Sequence, residues 1–418
     1  MTKKGRRFLG ALLGMIVVAG GIVGWYFCTN LAVENDTQID IFKLGAVGDG
    51  ITDDSAIFQQ ALNIAKERGK VSIYIPQGNY FIRDTLNYYP NTELEFADNA
   101  KITFDSASGI VMTNSNHLVG KDAFSCGYLR IKGGSFEGQY SDDQTQKVCI
   151  QAGKLSELSI TGTSFLNACA RNHLLDISGC QNIIIENCFF DGMNFSEELR
   201  PHDETENLQP NAKLEMIQID LAKGLGTPVQ SEEDEKSARN ILIKNCVFGK
   251  KNSGQIEQIV SYRPIGIHNI SQDETSCYDN IIIEGNEFYN CLGSCIRLSR
   301  VRNAVITENY FWNTDEVIDG VVVLALADSD GNEGDIQNIA ITGNRCEYKK
   351  KYDFIRTEEG KEESSRIYNV VIRNNNVSQS NIRLKKCVNV LLEGNSTDAI
   401  YMDECKNVEK DSLRVYPD

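Results

Sequence analysis

A nine-residue pattern of apolar and polar positions recurs along the chain between residues 128 and 397. In each copy, positions 2 and 4 are nearly always aliphatic, position 3 is more variable and position 9 is often Phe. Alternation over so few residues is typical of a β-strand and is too short for a helix. The pattern predicts one short strand in each of nine repeat units, which begin at residues 128, 157, 182, 240, 280, 303, 338, 369 and 389.

The spacing of the repeat units indicates a solenoid. Units begin 20 to 58 residues apart, and the shorter spacings fit one turn of a β-helix. Each turn stacks on the previous one at a strand spacing of about 4.8 Å, so equivalent side chains form ladders. Position 9 predicts an interior Phe ladder. Position 7 predicts a hydrogen-bonded ladder of Asn286, Asn309, Asn344, Asn375 and Asn395. Leucine-rich repeats are the alternative solenoid, but their Leu-rich consensus is absent.

The segment before the repeats has a different period. Residues 55–69 carry apolar side chains at the spacing of one helix face, and Asp53 or Asp54 is predicted to cap that helix. Residues 71–82 are predicted to form a pair of strands around a turn. Because the open end of a solenoid needs a cover, we expect the helix to cap the β-helix.

This segment also carries a family resemblance. The stretch GAVGDGITDDSAIFQQAL, followed by IYIPQGNYFI, resembles the opening of the pectate-lyase superfamily, which includes polygalacturonase-like hydrolases and phage tailspikes. The resemblance is detailed over about residues 40–85, and the repeats extend it loosely to about residue 410. It implies an all-β fold, a right-handed parallel β-helix with an N-terminal capping helix, and a structural role for Asp49, Asp53 and Asp54.

The N-terminus predicts a membrane anchor. Lys3, Lys4, Arg6 and Arg7 precede an uncharged run at residues 8–27, which is long enough to cross a bilayer core as a helix. The basic flank should stay cytoplasmic, which puts the rest of the chain on the outer face of the cytoplasmic membrane, at the cell surface. A cleaved signal peptide is the alternative, but the run is long for one and no small-x-small cleavage site stands out.

These features predict the domain organisation as five segments. They are a basic flank and transmembrane signal anchor, a linker, the N-terminal cap, the β-helix and a tail, at residues 1–28, 29–39, 40–84, 85–410 and 411–418.

Charge and cysteine content narrow the class of protein. The formal charge of −16, less the four N-terminal positive charges, leaves −20 on the rest of the chain. An acidic surface repels nucleic acid, so no nucleic-acid partner is expected. The 13 cysteines are odd in number and several fall inside strand-like runs. We therefore expect buried thiols rather than a disulfide framework.

Polar residues interrupt the strand that precedes several repeat units. Asp176, Arg297 and Arg383 each lie six residues before the first residue of their unit, in the contexts LLDIS, CIRLS and NIRLK. They alternate with aliphatic residues, so they should point outward from one face. Two coils lie between Asp176 and Arg297, and their matching strands are predicted at residues 215–220 and 265–268.

Aligning Ile219 with Ile267 places Asp220 and His268 at equivalent positions on adjacent coils. They should lie about one strand spacing apart and share a proton, because a carboxylate favours the imidazolium form. The complete predicted stripe of outward polar residues is His173, Asp176, Glu215, Gln218, Asp220, His268, Arg297 and Arg300.

Carboxylates, histidine and arginine in one stripe are the residue types used for acid–base catalysis and for holding hydroxyl-rich or anionic ligands. The insertions at residues 192–239 and 249–279 are predicted to wall a cleft beside the stripe. His117 and His202 lie in polar contexts and are predicted to be solvated. The candidate catalytic residues are Asp220, His268, Asp176 and Glu215, and the candidate substrate-binding residues are His173, Gln218, Arg297 and Arg300.

Polygalacturonase-like hydrolases, which the opening segment resembles, use an Asn-x-Asp, an Asp-Asp pair, a Gly-His-Gly and an Arg-x-Lys on successive coils. Asp220, His268 and Arg297 follow in that order here. However, Gln218 stands in place of the Asn, no Asp-Asp pair follows, His268 lies in Gly-Ile-His and Ser299 replaces the Lys. The polygalacturonase-type site is therefore not intact.

Three functions follow from these residues. The first is a cell-surface glycoside hydrolase acting on a polysaccharide, with Asp220 as acid or base, Asp176 or Glu215 as its partner, His268 orienting Asp220 and Arg297 holding a substrate oxygen. The second is a polysaccharide lyase, which needs a base and often Ca²⁺; otherwise no cofactor or metal is expected. The third is a non-catalytic glycan-binding or adhesin-like protein, which the incomplete catalytic pattern favours.

Overall fold

The computed structural model describes residues 38–417, apart from residues 105–109, 116–117, 119–120, 139–147, 170–172, 194–214, 223–234, 250–262, 274, 292, 314–319, 329–330, 350, 361–363 and 412–414. Its described residues form the predicted parallel β-helix, in which successive coils stack to build three parallel sheets. Leu175–Ser178, Gln181–Glu186 and Phe189–Met193 are three consecutive strands of one coil.

Sheet 1 contains, among the described residues, Ile39–Asp40, Val71–Ile75, Thr92–Phe96, Tyr128–Lys132, Glu157–Thr161, Gln181–Glu186, Arg239–Lys244, Tyr278–Glu284, Val301–Thr307, Ile336–Thr342, Ile367–Arg373, Cys387–Glu393 and Lys406–Lys410. Sheet 2 contains Asp49–Asp53, Asn79–Ile82, Lys101–Phe104, Ser135–Gly138, Ser164–Cys169, Phe189–Met193, Val247–Phe248, Glu287–Tyr289, Tyr310–Asn313 and Arg345–Tyr348. Sheet 3 contains Leu86–Asn87, Ile110–Thr113, Val148–Gly153, Leu175–Ser178, Glu215–Asp220, Arg263–Ile267, Ile296–Ser299, Val322–Ala325, Tyr352–Glu358, Ser380–Lys385, Ala399–Asp403 and Val415–Pro417.

The repeat unit covers more than the single strand that the pattern predicts. In the unit at residues 280–288, the first positions belong to Tyr278–Glu284 of sheet 1, and the last two belong to Glu287–Tyr289 of sheet 2. Gly285 lies between them with φ of 65°, a left-handed conformation that turns the chain from one sheet to the next. The nine-residue period therefore marks a corner of the coil.

The side chains at position 9 stack through the interior, as predicted. Consecutive rings lie 4.8 to 5.5 Å apart between centroids and are within 11° of parallel. The spacing approaches that of the strands, because each ring occupies the same place on successive coils. The stacked residues, all fully buried, are Phe136, Phe165, Phe190, Phe248, Phe288 and Phe311.

The asparagines at position 7 form the predicted hydrogen-bonded ladder. The Asn344 Nδ2 and backbone N–H both donate to the Asn375 Oδ1, at 2.9 and 3.0 Å. The Asn344 Oδ1 accepts the equivalent pair of bonds from Asn309. The Asn344 Nδ2 also donates to the Ile306 carbonyl. These buried amides are therefore satisfied within the stack. The ladder runs through Asn286, Asn309, Asn344, Asn375 and Asn395.

A second ladder at position 1 was not predicted. The asparagines there adopt a left-handed backbone with φ of 53° to 61°, which Asn tolerates better than most residues. The Asn280 Nδ2 donates to the Asn240 Oδ1 at 3.0 Å, and the pattern is interrupted where the Asn303 Nδ2 donates to Asp279. The sequence signal for this second ladder is the Asn at position 1 of most repeat units. The members are Asn182, Asn240, Asn280, Asn303, Asn338, Asn369, Asn389 and Asn407.

The predicted amphipathic helix spans Ser55–Arg68 and ends at Gly69, whose φ is 79°. It lies against the strands Val71–Ile75 and Leu86–Asn87 at the start of the β-helix. Its inward side chains, at helical spacing, join the main hydrophobic core. That this helix covers the open end stays a prediction. The buried side chains are Phe58, Ala61, Leu62 and Ala65.

The start of this helix differs in detail from the prediction. Asp54 occupies the N-cap position but makes no side-chain cap hydrogen bond. Its carboxylate instead accepts the backbone N–H groups of Val47 and Gly48, at 2.7 and 3.1 Å, which holds the preceding loop. The Asp53 carboxylate accepts the backbone N–H of Ser55 at 3.0 Å. These contacts give both aspartates structural partners.

Several expectations concern the ends of the chain. The predicted anchor at residues 8–27 lies outside the described residues. Within the described part, no helix has the length and apolar character to cross a bilayer. The coil extends past the predicted boundary at residue 410, since Val415–Pro417 pairs with Ala399–Asp403. The described cysteines form no disulfide bond, and most are buried, as expected.

Candidate functional site

The predicted stripe lies on the outer face of sheet 3, and its register is as expected. Asp176 pairs with Gln218, Gln218 pairs with Gly266, and Gly266 pairs with Arg297. Asp176, Gln218 and Arg297 therefore stand in line across four adjacent strands. The prediction that they occupy equivalent positions is confirmed.

The register of Asp220 and His268 also agrees with the prediction. Ile219 pairs with Ile267, and the His268 N–H donates to the Ile219 carbonyl at 3.3 Å. The next residues, Asp220 and His268, thus occupy equivalent positions on neighbouring strands. Their hydrogen-bond partners differ from the prediction. We expected Asp220 and His268 to share a proton, but each side chain is hydrogen-bonded to other residues.

Asp220 is held by amide groups rather than by His268. Its Oδ2 accepts the Gln218 Nε2 at 3.0 Å and the Asn269 Nδ2 at 2.6 Å. Its Oδ1 accepts the backbone N–H of Leu221 at 2.6 Å. The carboxyl is fully buried. Burial raises its pKa to about 6, although His268 and these donors favour the charged form.

His268 is hydrogen-bonded to Glu215 instead. The His268 Nε2 lies 2.7 Å from the Glu215 Oε2, and the Arg263 Nη1 donates to the other carboxylate oxygen at 2.7 Å. The Arg263 Nε also donates to the Ser294 Oγ at 3.0 Å. A Cβ at Gly266 would lie 2.3 Å from the Glu215 Oε1, so the glycine makes room for this carboxylate.

The charges of this cluster reinforce one another. Burial alone would raise the pKa of Glu215, but His268 and Arg263 hold it well below its usual range. Burial alone would lower the pKa of His268, but the Glu215 carboxylate raises it above its usual value. Glu215 is therefore a carboxylate at neutral pH, and its charge favours the imidazolium form of His268. Glu215 cannot act as a general acid in this state.

Among the described residues, Asp176 differs from Glu215 in having no ion pair with a cationic side chain. Its Oδ2 accepts the Gln151 Nε2 at 3.2 Å, and its Oδ1 is buried with no hydrogen-bond partner among the described residues. Burial, and then the nearby Asp220, raise the pKa of Asp176 to about 7. Asp176 is therefore partly protonated at neutral pH, whereas Asp220 is mostly ionised.

His173 lies at the edge of the cluster. Its Nδ1 is 3.9 Å from the Glu215 Oε2, beyond hydrogen-bond distance. Burial lowers the pKa of His173 to about 4, against the pull of the Glu215 carboxylate. His173 is therefore neutral at physiological pH.

The two predicted arginines have different surroundings. The Arg297 Nη1 donates to the Glu358 Oε2 at 2.5 Å, and the arginine side chain is 16% exposed at the rim of the stripe. The Arg300 guanidinium donates to the backbone carbonyls of Ser271, Asp273 and Glu333. The structure therefore does not bring Arg300 together with the other candidate residues, since it braces a turn.

Other expectations for the site lie largely outside the described residues. This holds for most of the insertion at 192–239, for part of the insertion at 249–279, and for His117 and His202. Among the residues that are described, no group of three or more potential ligands could hold a metal ion.

Three contributing residues were missed by sequence reasoning. Arg263 pairs in register with Glu215, and Asn269 follows the predicted strand by one residue. Gln151 pairs with Asp176 one coil earlier. Extending the alignment of Ile219 with Ile267 in both directions along these two strands would have found Arg263 and Asn269. Extending it to the coil before Asp176 would have found Gln151.

Comparison with known proteins assigns the family. A family model described as rhamnogalacturonase A/epimerase, pectate lyase-like, matches residues 38–291, more than half of the chain. The chain belongs to this pectate lyase-like family. The superfamily resemblance of the opening segment is thereby confirmed.

The pectate lyase-like chain also matches curated proteins. It is 24% identical over 306 residues to plasmin and fibronectin-binding protein A of Streptococcus pneumoniae (strain ATCC BAA-255 / R6), covering 66% of this chain and 39% of that protein. It is 24% identical over 140 residues to the SPbeta prophage-derived uncharacterized protein YomE of Bacillus subtilis (strain 168), covering 33% and 22%. The chain spans well under half the length of these relatives.

Solved structures share the fold. PfbA, a surface adhesin of Streptococcus pneumoniae, superposes with a TM-score of 0.68 and 18% identity over 91% of each chain. A family 28 exopolygalacturonase of Yersinia enterocolitica superposes with a TM-score of 0.58 and 13% identity over 90% of this chain and 79% of that one. At these identities, the likeness shows the fold alone.

Proposed function

We propose that this pectate lyase-like protein is a cell-surface glycoside hydrolase that acts on a polysaccharide by carboxyl acid–base chemistry. The observation that carries the proposal is the pair of buried carboxyl groups on neighbouring strands of sheet 3. The pKa of Asp176 is raised to about 7 and that of Asp220 to about 6. Strongly shifted acids gathered in one place are typical of active sites.

The positions of the pair support paired acid–base chemistry. Asp176 pairs with Gln218, and Asp220 lies two residues further along the same strand, so the two acids are diagonal neighbours. Strand spacing and rise put their Cα atoms about 8 Å apart. Side chains at this backbone spacing can bring two carboxyl groups to the separation of roughly 5–9.5 Å that glycosidases use.

The pKa order assigns the roles. Asp176, with the higher pKa, is the acid that protonates the leaving glycosidic oxygen. Asp220 is the base that takes a proton from the attacking water, and its amide partners Gln218 and Asn269 orient it. His268 and Glu215 lie beside the pair as a fixed ion pair, and Arg297 is placed to donate to a substrate oxygen.

Access to the pair requires movement. Asp176 is 3% exposed and Asp220 is fully buried, whereas the side chain of His268 is 21% exposed. A saccharide would therefore contact His268 and Arg297 first and reach the acids only after neighbouring side chains shift.

The same burial favours a second candidate, a non-catalytic glycan-binding or adhesin-like protein. The likeness to the PfbA adhesin over most of both chains supports it. In that case the carboxyl pair is a structural network, and the outer surfaces of the solenoid make the contacts.

One screen separates the candidates. The purified protein is incubated with cell-wall and capsular glycans. New reducing ends that disappear in an Asp176→Asn variant support the hydrolase, and an absorbing unsaturated product indicates a lyase. Retention on a glycan without turnover supports the adhesin, and neither turnover nor retention would contradict both proposals.

For location, we propose an anchor at residues 8–27 that holds the protein on the outer face of the cytoplasmic membrane. The uncharged run behind four basic residues supports it. Carbonate-washed membranes should retain the full-length chain. Recovery from the medium of a chain that starts near residue 28 would contradict the anchor.

A further inference from the structure

A cluster of aromatic side chains lies on the outer face of sheet 2. The strands Glu287–Tyr289, Tyr310–Asn313 and Arg345–Tyr348 lie side by side there. Phe288 and Phe311 belong to the interior Phe stack. Because successive side chains of a strand point to opposite faces, the residues on either side of each Phe point outward.

Six outward positions on these strands form a compact grid. Tyr289 pairs with Trp312, and Trp312 pairs with Glu347; beside them, Tyr310 pairs with both Glu287 and Arg345. The Tyr289 ring centroid lies 6.2 Å from that of Trp312 and 6.1 Å from that of Tyr310. We call this grid the aromatic patch, and it consists of Glu287, Tyr289, Tyr310, Trp312, Arg345 and Glu347.

Charged groups frame the rings. The Tyr310 hydroxyl donates to the Glu347 Oε2 at 2.8 Å, and the Tyr289 hydroxyl donates to the Glu287 carboxylate. The Arg345 guanidinium contacts Glu347 and lies 5.8 Å from the Tyr310 ring centroid. Tyr310 and Trp312 are partly exposed, and Tyr289, which is buried at 8% exposure, supports them from the side. The surface therefore combines ring faces with hydrogen-bond acceptors and a cation.

We propose that the aromatic patch binds one or two sugar rings of a polysaccharide, as a binding site separate from the carboxyl pair. A sugar ring has an apolar C–H face and a rim of hydroxyl groups. Aromatic faces accommodate the first, and tyrosine hydroxyls, carboxylates and a guanidinium pair with the second. The patch lies on sheet 2 and the carboxyl pair on sheet 3, so the proposal does not depend on the hydrolase.

The size of the patch favours a saccharide over a protein. Three strands span about 10 Å and two outward positions span about 7 Å, which is the footprint of one or two pyranose rings. A stable protein partner usually covers roughly 800 Å² on each side, many times this area. The aromatic patch therefore fits a small rigid unit of a repeating polymer.

Fluorescence provides a direct test, because Trp25 and Trp312 are the two tryptophans of the chain. Full-length protein carrying Trp25→Phe leaves Trp312 as its one tryptophan. Polygalacturonate, rhamnogalacturonan, xylan and dextran are titrated separately. At least one should change the Trp312 emission in a saturable manner. No change with any of the four would overturn the proposal.

The contribution of the Trp312 ring to binding is measured by the retardation of the full chain in gels that contain the responding polysaccharide. Trp312→Ala should weaken binding about tenfold or more, as expected for an aromatic anchor, and Trp312→Tyr should restore part of it. Phe189→Ala, which removes another sheet 2 aromatic, should bind like the parent. Equal binding by Trp312→Ala and the parent, or equal losses in Trp312→Ala and Phe189→Ala, would refute the patch.

Gel retardation of a carboxyl-pair variant separates this binding site from the proposed hydrolase site. Asp220→Asn should keep the retardation of the parent, since Asp220 lies on another sheet. A loss of retardation in Asp220→Asn with none in Trp312→Ala would place polysaccharide binding on sheet 3 and would contradict the aromatic patch.

Discussion

Two ladders of this β-helix obey the same register but carry opposite chemistry. Along the Asn ladder, each coil places the same amide beside its own copy, and each amide is satisfied by its neighbours. Along the stripe on sheet 3, each coil places a different residue, in the order Gln151, Asp176, Gln218, Gly266 and Arg297. Repetition of one side chain marks a structural ladder, and a change of chemistry from coil to coil marks a candidate site.

The largest effect is expected on the stripe. Asp220→Asn is isosteric and should lower turnover about 10²–10⁴-fold, because it removes the general base. Both oxygens of Asp220 accept hydrogen bonds, so the Asn amide nitrogen must face a donor and some stability is lost, but the chain should stay folded and keep its glycan binding. The measurement is reducing-end release, with circular dichroism as the check on folding. Asp279→Asn on sheet 1 is the matched control, and activity of Asp220→Asn within a few fold of the parent would make the proposed site wrong.

The ladder should respond in stability rather than in activity. Asn344→Leu removes the acceptor for two Asn309 hydrogen bonds, and it removes one of the two Asn344 donors to the Asn375 Oδ1. The free energy of unfolding should fall by about 1–3 kcal/mol, measured by urea denaturation. Asn376→Leu, at an exposed position one coil further on, is the control. An unchanged transition would mean that the ladder adds nothing to stability.

Asp176→Asn, on the stripe, should raise the free energy of unfolding at pH 8 rather than lower it. The pKa of Asp176 is raised from 3.8 to about 7, so the folded chain keeps a proton that the unfolded chain has lost. The free energy of unfolding therefore falls as pH rises from about 4 to about 7. Asp176→Asn escapes this penalty and should be more stable than the parent at pH 8, by on the order of 3 kcal/mol.

Urea midpoints at two pH values check this effect of Asp176. The advantage of Asp176→Asn should shrink at pH 5, where the folded parent keeps its proton and fewer unfolded chains have lost theirs. An equal gain at both pH values would show that relief of a buried charge is not the cause. Loss of stability at pH 8 would contradict the raised pKa.

The smallest effect is expected at the rim of the stripe. Arg297→Ala removes a donor that is placed to hold a substrate oxygen, so KM should rise about five- to tenfold with kcat nearly unchanged. Arg302→Ala, which breaks an exposed ion pair with Asp279 on sheet 1, is the control. If kcat falls as much as KM rises, Arg297 takes part in the chemical step.

Much of the fold could be read from the sequence because a parallel stack repeats its environment. Asn344 and Asn375 could be assigned to one ladder from their position in the repeat alone. Ile219 and Ile267 set the register of the residues that follow them, so the alignment of Asp220 with His268 was also predictable.

The hydrogen-bond partners within the site were harder to predict from the sequence than the register. Alternation of inward and outward residues fails at the start of Glu215–Asp220, where the consecutive residues Met216 and Ile217 both join the core. Glu215 consequently turns to the outer face and takes His268 as its partner. Arg300 follows its strand with φ of 46°, so it turns away from the line of Arg297. Strand periodicity carries no information about either departure.

The sequence by itself determined the coil, its ladders and the residues that share a line on sheet 3, because identical positions recur at one strand spacing. Tertiary structure alone decided which acids are charged. Glu215 meets His268 and Arg263 across 53 and 48 residues of chain, while burial and the nearby Asp220 raise the pKa of Asp176. A protonation state depends on burial and on the nearest charges, and both are set by packing between coils rather than by the pattern along one strand.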